Sequence, residues 1–253
     1  MSQSTDFGSV LESFGLPMNA RLNMRVPKRL LVEQGAPTAF DKRIIMDGIE
    51  ELQWFAACKP ATIGVPTFKD DTREYLEIAA VGCFFRPEAK TTRLIELIHR
   101  AIPYPVLLIN TESGGMALSL AHKRLAEREA GRVVIDRVVT TGPIGSSAVD
   151  HAFLASLALV RQPRHNMHTL YDGWLTRVEA LQAARVSGVY LASDDQDVVR
   201  RRRDALESHA QLLREIASLR AKAEREKKMK GRVDLNMQIK CLEAALAALN
   251  RDL

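Results

Sequence analysis

The C-terminal end of the chain carries an apolar repeat that restricts it to long helices. From Ala205 the apolar positions recur in steps of four and three, and a second such run begins at Leu235. This heptad spacing places one side of a helix against another helix. The two runs are out of phase because a lysine-rich break around Gly231 separates them. Two topologies remain open: an antiparallel hairpin, which Gly231 favours, and one continuous helix, since an internal glycine costs only about 1 kcal/mol.

The helix positions that face inward in either topology define a predicted seam. Its members are Leu212, Ile216, Leu219, Leu235, Ile239, Leu242, Leu246 and Leu249. A seam of this length predicts a coiled coil that dimerises or docks onto a protein partner. In a hairpin the cations between Lys227 and Arg232 lie at the tip, whereas in a continuous helix they lie along one flank.

The basic excess of the chain is concentrated in the same tail. Residues 195–253 hold 14 basic and 10 acidic residues, a net charge of +4, against +5 for the whole chain. The candidate contacts with nucleic acid or a partner are Arg200, Arg201, Arg202, Arg203, Lys227, Lys228, Lys230 and Arg232. Arginine binds phosphate oxygens through its planar fork. The other interpretation is a solvated helical surface, because Asp197 and Asp204 lie close to the arginines.

Residues 1–192 predict an α+β globular domain, and residues 193–253 predict a separate helical tail. The expected architecture is a mixed, largely antiparallel sheet with flanking helices. The predicted helices are Ala39–Ala57, Thr91–Ala101 and Met167–Val186, and the predicted strands are Glu77–Phe85, Val106–Ile109, Met116–Leu120 and Arg132–Val139. Strands Val106–Ile109 and Met116–Leu120 are expected to form a hairpin around the turn at residues 113–115. Asn166 is expected to cap the third of these helices, and residues 193–195 the helix of the tail. The first 15 residues are expected to form a frayed leader.

Composition excludes several classes of protein. The chain is 46% hydrophobic, which is too apolar for a disordered protein, and its three cysteines are dispersed. Dispersed cysteines indicate reduced thiols and a cytoplasmic location. The N-terminus lacks a signal-peptide pattern, and the apolar stretch Ile102–Ile109 is too short to span a bilayer.

Residues with catalytic chemistry do not form a recognisable set. His165 and His168 lie three positions apart without an acidic or cysteine partner at ligand spacing. The Gly142–Ser147 segment lacks the lysine of a phosphate-binding loop. We therefore expect no metal and no cofactor, and the sequence leans against an enzyme. The alternative is a metal-dependent nuclease, whose acids would be Asp136 and Glu77 on separate strands.

Several segments together resemble the bacterial domain of unknown function 4391 family. They are Phe14–Pro17, Val26–Lys28, Ile49–Trp54, Lys59–Ile63, Leu97–Pro105, Glu226–Lys228 and Val233–Asn236. The Ala-Ile-Pro-Tyr-Pro segment, residues 101–105, and the Val-Asp-Leu-Asn segment, residues 233–236, are the most specific. The resemblance covers nearly the whole chain, although Thr141–Asp150 looks less typical.

The resemblance implies an α+β body with a helical C-terminal tail and brings no catalytic residues with it. It also implies genes that lie beside helicases and DNA methyltransferases in phage-defence or restriction-like islands. The resulting hypothesis is a non-enzymatic accessory subunit of a defence system. Its tail would dimerise or dock onto a DNA-processing partner, either a helicase or a methyltransferase, with weak nucleic-acid contact and no membrane association.

Overall fold

The computed structural model of the protein describes residues 6–113, 115–126 and 133–250. The strands are β1 (Arg21–Arg25), β2 (Ile49–Cys58), β3 (Phe68–Lys69), β4 (Glu74–Tyr75), β5 (Ile78–Phe85), β6 (Val106–Glu112), β7 (Gly115–Leu125) and β8 (Val133–Thr140). The helices are α1 (Phe7–Ser13), α2 (Lys28–Gly35), α3 (Ala39–Gly48), α4 (Pro60–Ile63), α5 (Thr91–Ala101), α6 (Ala148–Ser156), α7 (Met167–Ser187), α8 (Gln196–Arg225) and α9 (Met229–Leu249).

Six strands form one sheet in the order β1-β2-β5-β6-β7-β8, while β3 and β4 pair separately. Strands β5 and β6 run parallel, and the other neighbouring pairs of the large sheet are antiparallel. A parallel pair needs a crossover connection, and α5 supplies it. The predicted α+β class with a mixed, largely antiparallel sheet is confirmed.

Several predicted elements of this sheet are confirmed with small changes at their ends. Helix α5 has the predicted bounds, and the predicted hairpin consists of β6 and β7. Strand β8 begins at Val133; the predicted first residue, Arg132, lies outside the described residues, as does Gly114 of the predicted turn. Helix α7 begins after Asn166, whose side chain accepts the Thr169 N–H at 3.0 Å, as the capping prediction required.

The predicted helix Ala39–Ala57 is wrong in its second half. Its start is correct, because the Thr38 hydroxyl accepts the Asp41 N–H at 3.1 Å, but α3 ends at Gly48 and β2 follows at once. Strand β2 pairs with β1 on one side and β5 on the other. The spacing of its apolar residues is compatible with a helix and with a buried strand. Hydrogen bonding to strands on both sides stabilises the strand.

The expected frayed leader is wrong for residues 7–13, which form α1, while residues 1–5 lie outside the described residues. Asp6 caps this helix through the Ser9 N–H at 2.7 Å. The ring of Phe7 lies 4.3 Å from that of Phe55, against Gly82 on β5. A Cβ on Gly82 would lie only 2.4 Å from Phe55, so this close approach requires glycine.

The Ala-Ile-Pro-Tyr-Pro segment at the end of α5 binds a buried lysine through its backbone carbonyl groups. The buried Lys123 ammonium donates to the carbonyls of Ile102 and Tyr104, the latter at 2.5 Å. Because prolines at 103 and 105 lack N–H groups, this segment offers carbonyls without matching backbone donors. Burial lowers the pKa of Lys123 to about 7.

The chain divides into two compact units, Met1–Val178, here called the body, and Glu179–Leu253, here called the tail unit. The sequence-based boundary between residues 192 and 193 falls inside the tail unit. Among the residues that the structure describes, no helix has the length and apolar character needed to cross a membrane.

Candidate functional site: the α8–α9 hairpin

The tail unit contains a helical hairpin, so the continuous-helix alternative is excluded. Helices α8 and α9 pack together, and the chain leaves helical structure at Glu226–Lys228 between them. Asp195 caps α8 by accepting the N–H groups of Asp197 and Val198 at 2.8 and 3.1 Å, as the sequence predicted.

The turn itself is not at Gly231, where the sequence placed it. Gly231 lies in the first turn of α9, and a Cβ there would come within 3.0 Å of the Glu226 side chain. Glu226 in turn accepts the Lys228 N–H at 2.8 Å and so fixes the connection. The glycine therefore makes room for the side chain that forms the turn.

All eight predicted seam residues lie in the described part of the tail unit, and they are unevenly covered. Ile216 and Ile239 are buried, with exposed fractions of 3% and 7%. The other six, Leu212, Leu219, Leu235, Leu242, Leu246 and Leu249, are half-buried. One helix packed on one other helix covers each seam from a single side, which leaves apolar surface along most of its length.

The four successive arginines at the start of α8 differ in what they contact. Arg203 bonds both oxygens of the buried Glu179 at 2.9 Å. Arg202 donates to the Leu191 carbonyl at 2.6 Å, and Arg200 pairs with Asp197 one turn earlier. Arg200 and Arg201 are exposed. Two of the four arginines therefore stabilise the fold of the tail unit, and the other two lie on its surface.

The second basic cluster is more open. Lys227, Lys228, Lys230 and Arg232 are all exposed, and they follow or adjoin the turn between α8 and α9. They occupy the tip of the hairpin, as the hairpin alternative implied. Four exposed cations within six positions attract an anionic surface. Because they are exposed, the packing of the tail unit does not depend on them.

In the body, the structure brings together a polar cluster that sequence reasoning missed. Tyr75 and His122 are joined by a hydrogen bond of 2.6 Å between the phenol oxygen and Nδ1. His122 Nε2 lies 3.1 Å from the Asp172 carboxylate, and the His168 ring stacks on His122 with centroids 5.1 Å apart. His122 sits opposite an irregularity in the pairing of β7 and β8.

The partners of His122 constrain its hydrogen bonds. Since a carboxylate can only accept, the Nε2 atom of His122 donates to Asp172, and in the tautomer protonated only at Nε2 the Nδ1 atom accepts from the Tyr75 hydroxyl. Burial raises the pKa of Tyr75 to about 12, and burial together with the neighbouring His122 lowers that of His168. Because Tyr75 is fully buried, its phenol holds the histidine in place rather than facing solvent.

No spacing signal could have revealed this cluster, since 47 residues separate Tyr75 from His122 and 50 separate His122 from Asp172. The acids of the nuclease alternative, by contrast, stay apart. Asp136 on β8 is paired with Arg73 at 2.7 Å and Arg124 at 3.2 Å, and Glu77 is paired with Lys59 at 3.3 Å. Strands β6 and β7 lie between β8 and β5, which Glu77 precedes. Within residues 6–113, 115–126 and 133–250, no three His, Cys, Asp or Glu side chains are grouped as metal ligands.

The fold and the hairpin define the class: an α+β protein with a two-helix C-terminal extension. The family model described as "Domain of unknown function (DUF4391)" matches residues 14–246. The chain therefore belongs to this family, as its most specific segments indicated. No curated protein and no solved structure matches it.

Proposed function

We propose that this protein is a non-enzymatic accessory subunit that docks onto a protein partner through the seam of its α8–α9 hairpin. The observation that carries the proposal is the half-buried seam, in which only Ile216 and Ile239 among the eight described positions are well covered. Half-buried leucines at heptad spacing are complementary to a further helix, which would complete their burial.

The partner we propose is a DNA-processing protein, a helicase or a DNA methyltransferase, of a phage-defence or restriction-like system. The support for this choice is the resemblance of the chain to its family. The proposed location is the cytoplasm, where free thiols such as the buried Cys58 and Cys83 stay reduced.

Co-expression of the tagged full-length chain with the helicase or methyltransferase encoded beside its gene tests the docking proposal. We expect the two proteins to elute together during size-exclusion chromatography. Leu219→Asp, which places a carboxylate in the half-buried seam, should weaken the complex by about tenfold or more. Ala221→Asp is the matched control, because Ala221 is exposed on the same helix.

Helical content measured by circular dichroism shows whether Leu219→Asp retains the hairpin. Co-elution that survives Leu219→Asp in a folded variant would overturn docking through the seam. Absence of co-elution with either gene neighbour would overturn the proposed partner class.

For the basic tip we propose a contact with DNA phosphates while the partner supplies sequence specificity. The four exposed cations of the tip favour this cluster over Arg200–Arg203, where two arginines serve the fold of the tail unit. Each phosphate contact removed should lower the slope of log affinity against log salt by about 0.9 on duplex DNA.

Fluorescence anisotropy at two salt concentrations compares two double variants of the full chain. Lys227→Gln with Lys228→Gln should weaken binding and flatten the salt dependence. Arg200→Gln with Arg201→Gln should change both much less. The reverse order would move the contact to the start of α8, and no binding at low salt would remove DNA from the proposal.

The positions of its acids do not support the nuclease alternative. The acids on which it depended are separated by two strands, and each is neutralised by basic side chains. A two-acid metal site needs its carboxylates within coordination distance of one ion. Incubation with plasmid DNA and Mg²⁺ or Mn²⁺ tests this directly, and cleavage that is lost in Asp136→Ala would restore the nuclease.

A further inference from the structure

Helix α8 carries basic residues that continue the tip toward the middle of the helix. They are Arg214, Lys222 and Arg225, here called the outer row, and all three are exposed. Within the described part of the chain, none of the three side chains forms an ion pair. Arg220 differs from them, because it lies on the other side of the helix and pairs with Glu243 of α9 at 2.6 Å.

The outer row lies away from the seam. At about 100° per residue, its centre is rotated by about 135° from the centre of the three seam residues of α8. The other two residues on this side between Arg214 and Arg225 are Ser218 and Ala221, which are exposed and small. No bulky side chain therefore separates the cations of the row.

The outer row is free of acidic residues. Between residues 208 and 225 the sequence has two acids, Glu215 and Glu224. Helix geometry places them on the two flanks of the row, at about 65° and about 115° from its centre. The next acid on the same side is Glu207, two turns before Arg214, and it marks the end of the row. The row is about 16 Å long, and the first lysines of the tip follow it directly.

The residue types of the hairpin favour duplex over single-stranded DNA. Proteins that bind single strands stack the bases on aromatic side chains. Residues 193–253 contain no phenylalanine, tyrosine or tryptophan. The hairpin can therefore bind phosphates but cannot stack on bases. A duplex needs no such stacking, because its bases are already stacked on one another, and its phosphates bind lysine and arginine regardless of sequence.

We infer that a DNA duplex lies along the outer side of α8, from the tip to Arg214, and that the outer row binds its phosphates. This contact rests on the proposed binding of DNA by the tip and extends it along the helix. Because the seam and the outer row lie on different sides of α8, the hairpin can hold the partner and the duplex at the same time. The hairpin then connects the DNA-processing partner to its substrate.

Fluorescence anisotropy of the full-length chain with a short labelled duplex tests the outer row. Arg214→Gln with Arg225→Gln should lower the slope of log affinity against log salt by about 1.8, twice the value for one phosphate contact. Arg220→Gln with Lys240→Gln is the matched control, because it removes two exposed cations of the hairpin that lie outside the row. The control should change the slope much less.

The tip variant of the proposed function separates the two contacts. If Lys227→Gln with Lys228→Gln flattens the salt dependence and the outer-row variant does not, the duplex contacts the tip alone and the inference is wrong. Equal effects of the outer-row variant and its control would also overturn it, as would tighter binding of a single strand of the same length. Absence of duplex binding by the unaltered chain would remove both contacts.

Ala221→Asp separates DNA binding from partner docking. It places a carboxylate one turn before Arg225 and should weaken duplex binding by about fivefold or more. Ala244→Asp is its control, because Ala244 is exposed on α9 and the change in net charge is the same. Ala221→Asp should retain the partner complex, whereas Leu219→Asp in the seam should lose it and keep most of the DNA affinity. Unchanged duplex binding by Ala221→Asp, or loss of both contacts in both variants, would contradict the inference.

Discussion

The body and the tail unit bury their apolar residues to very different extents. In the body, β5 and the first four residues of β6 have nearly every side chain buried. In α8 and α9, four side chains are buried, those of Val199, Leu206, Ile216 and Ile239. A central strand has neighbours on both edges and elements on both faces, whereas a helix in a hairpin has one neighbour. The difference shows that central strands of the body are covered on all sides, whereas the hairpin helices keep apolar surface exposed.

The strongest test of this contrast compares one core residue from each unit. Trp174 in the body is fully buried, donates to the Leu157 carbonyl at 2.8 Å and meets Phe14 edge-on. Trp174→Ala should lower the free energy of unfolding by about 3–5 kcal/mol. Ile216→Ala, at a well-covered seam position, should cost about 2 kcal/mol. Chemical denaturation measures both, and equal losses would contradict the contrast.

A second test asks whether the arginine run contributes structure to the tail unit. Arg203→Met removes one charged contact of the buried Glu179, and we expect a loss of about 2 kcal/mol, below the full cost of breaking a buried ion pair because Arg203 is partly exposed. Arg201→Met, at an exposed neighbour, should change stability by less than about 0.5 kcal/mol. Thermal unfolding of the two variants provides the comparison. A larger loss of stability for Arg201→Met than for Arg203→Met would contradict the assignment of Arg203 to the fold of the tail unit and of Arg201 to its surface.

A pH dependence should distinguish the body from the exposed charges of the hairpin. Burial holds the pKa of His99 at about 3, against about 6.5 in the unfolded chain. The unfolded state therefore binds more protons below pH 6.5, so stability falls as pH falls. Between pH 6.5 and 5 the loss from His99 should be about 2 kcal/mol.

His99→Gln isolates this contribution, because it removes the titrating ring from beside Ser119 and leaves all carboxylates in place. The variant should show a flatter stability profile between pH 5 and 6.5 in urea denaturation. Parallel profiles for the two proteins would contradict the assignment of the pH dependence to His99.

The smallest effect is expected for the ion pair that joins the two hairpin helices. Arg220 and Glu243 approach to 2.6 Å, but their side chains are 61% and 43% exposed. Arg220→Ala should therefore cost about 0.5 kcal/mol or less and should cost still less at high salt. Thermal melts at two salt concentrations measure this, and a loss above that of Ile216→Ala would mean that charge rather than the seam holds the hairpin.

Local periodicity predicted α5 correctly because an amphipathic helix depends on residues within a few turns. Each of the eight seam positions is buried or half-buried, although the buried Val199 and Leu206 of α8 lie outside the seam. The same reasoning failed for residues 49–58, because their apolar pattern fits a helix and a doubly paired strand equally well. Pairing with β1 and β5, which lie apart from β2 in sequence, decided the outcome.

The polar clusters illustrate the same division. Asn166 and Asp195 were recognisable as caps because their acceptors bond N–H groups two or three residues away. The Tyr75–His122–Asp172 cluster was not, because its members come from β4, β7 and α7. Similarly, the run Arg200–Arg203 shows charge, but only its folded surroundings separate Arg203, bound to Glu179, from the exposed Arg201.

The sequence by itself determined the class of the body, the helix caps and the family of the chain. Those features depend on short-range spacing, on capping side chains and on recognisable local segments. Only the tertiary structure decided that Ile49–Cys58 is a strand, that the turn lies at Glu226–Lys228, and that Met229, Val233 and Met237 of α9 stay exposed. Each of these depends on which distant surface a segment meets, because burial and strand pairing are properties of neighbours in space rather than neighbours in the chain.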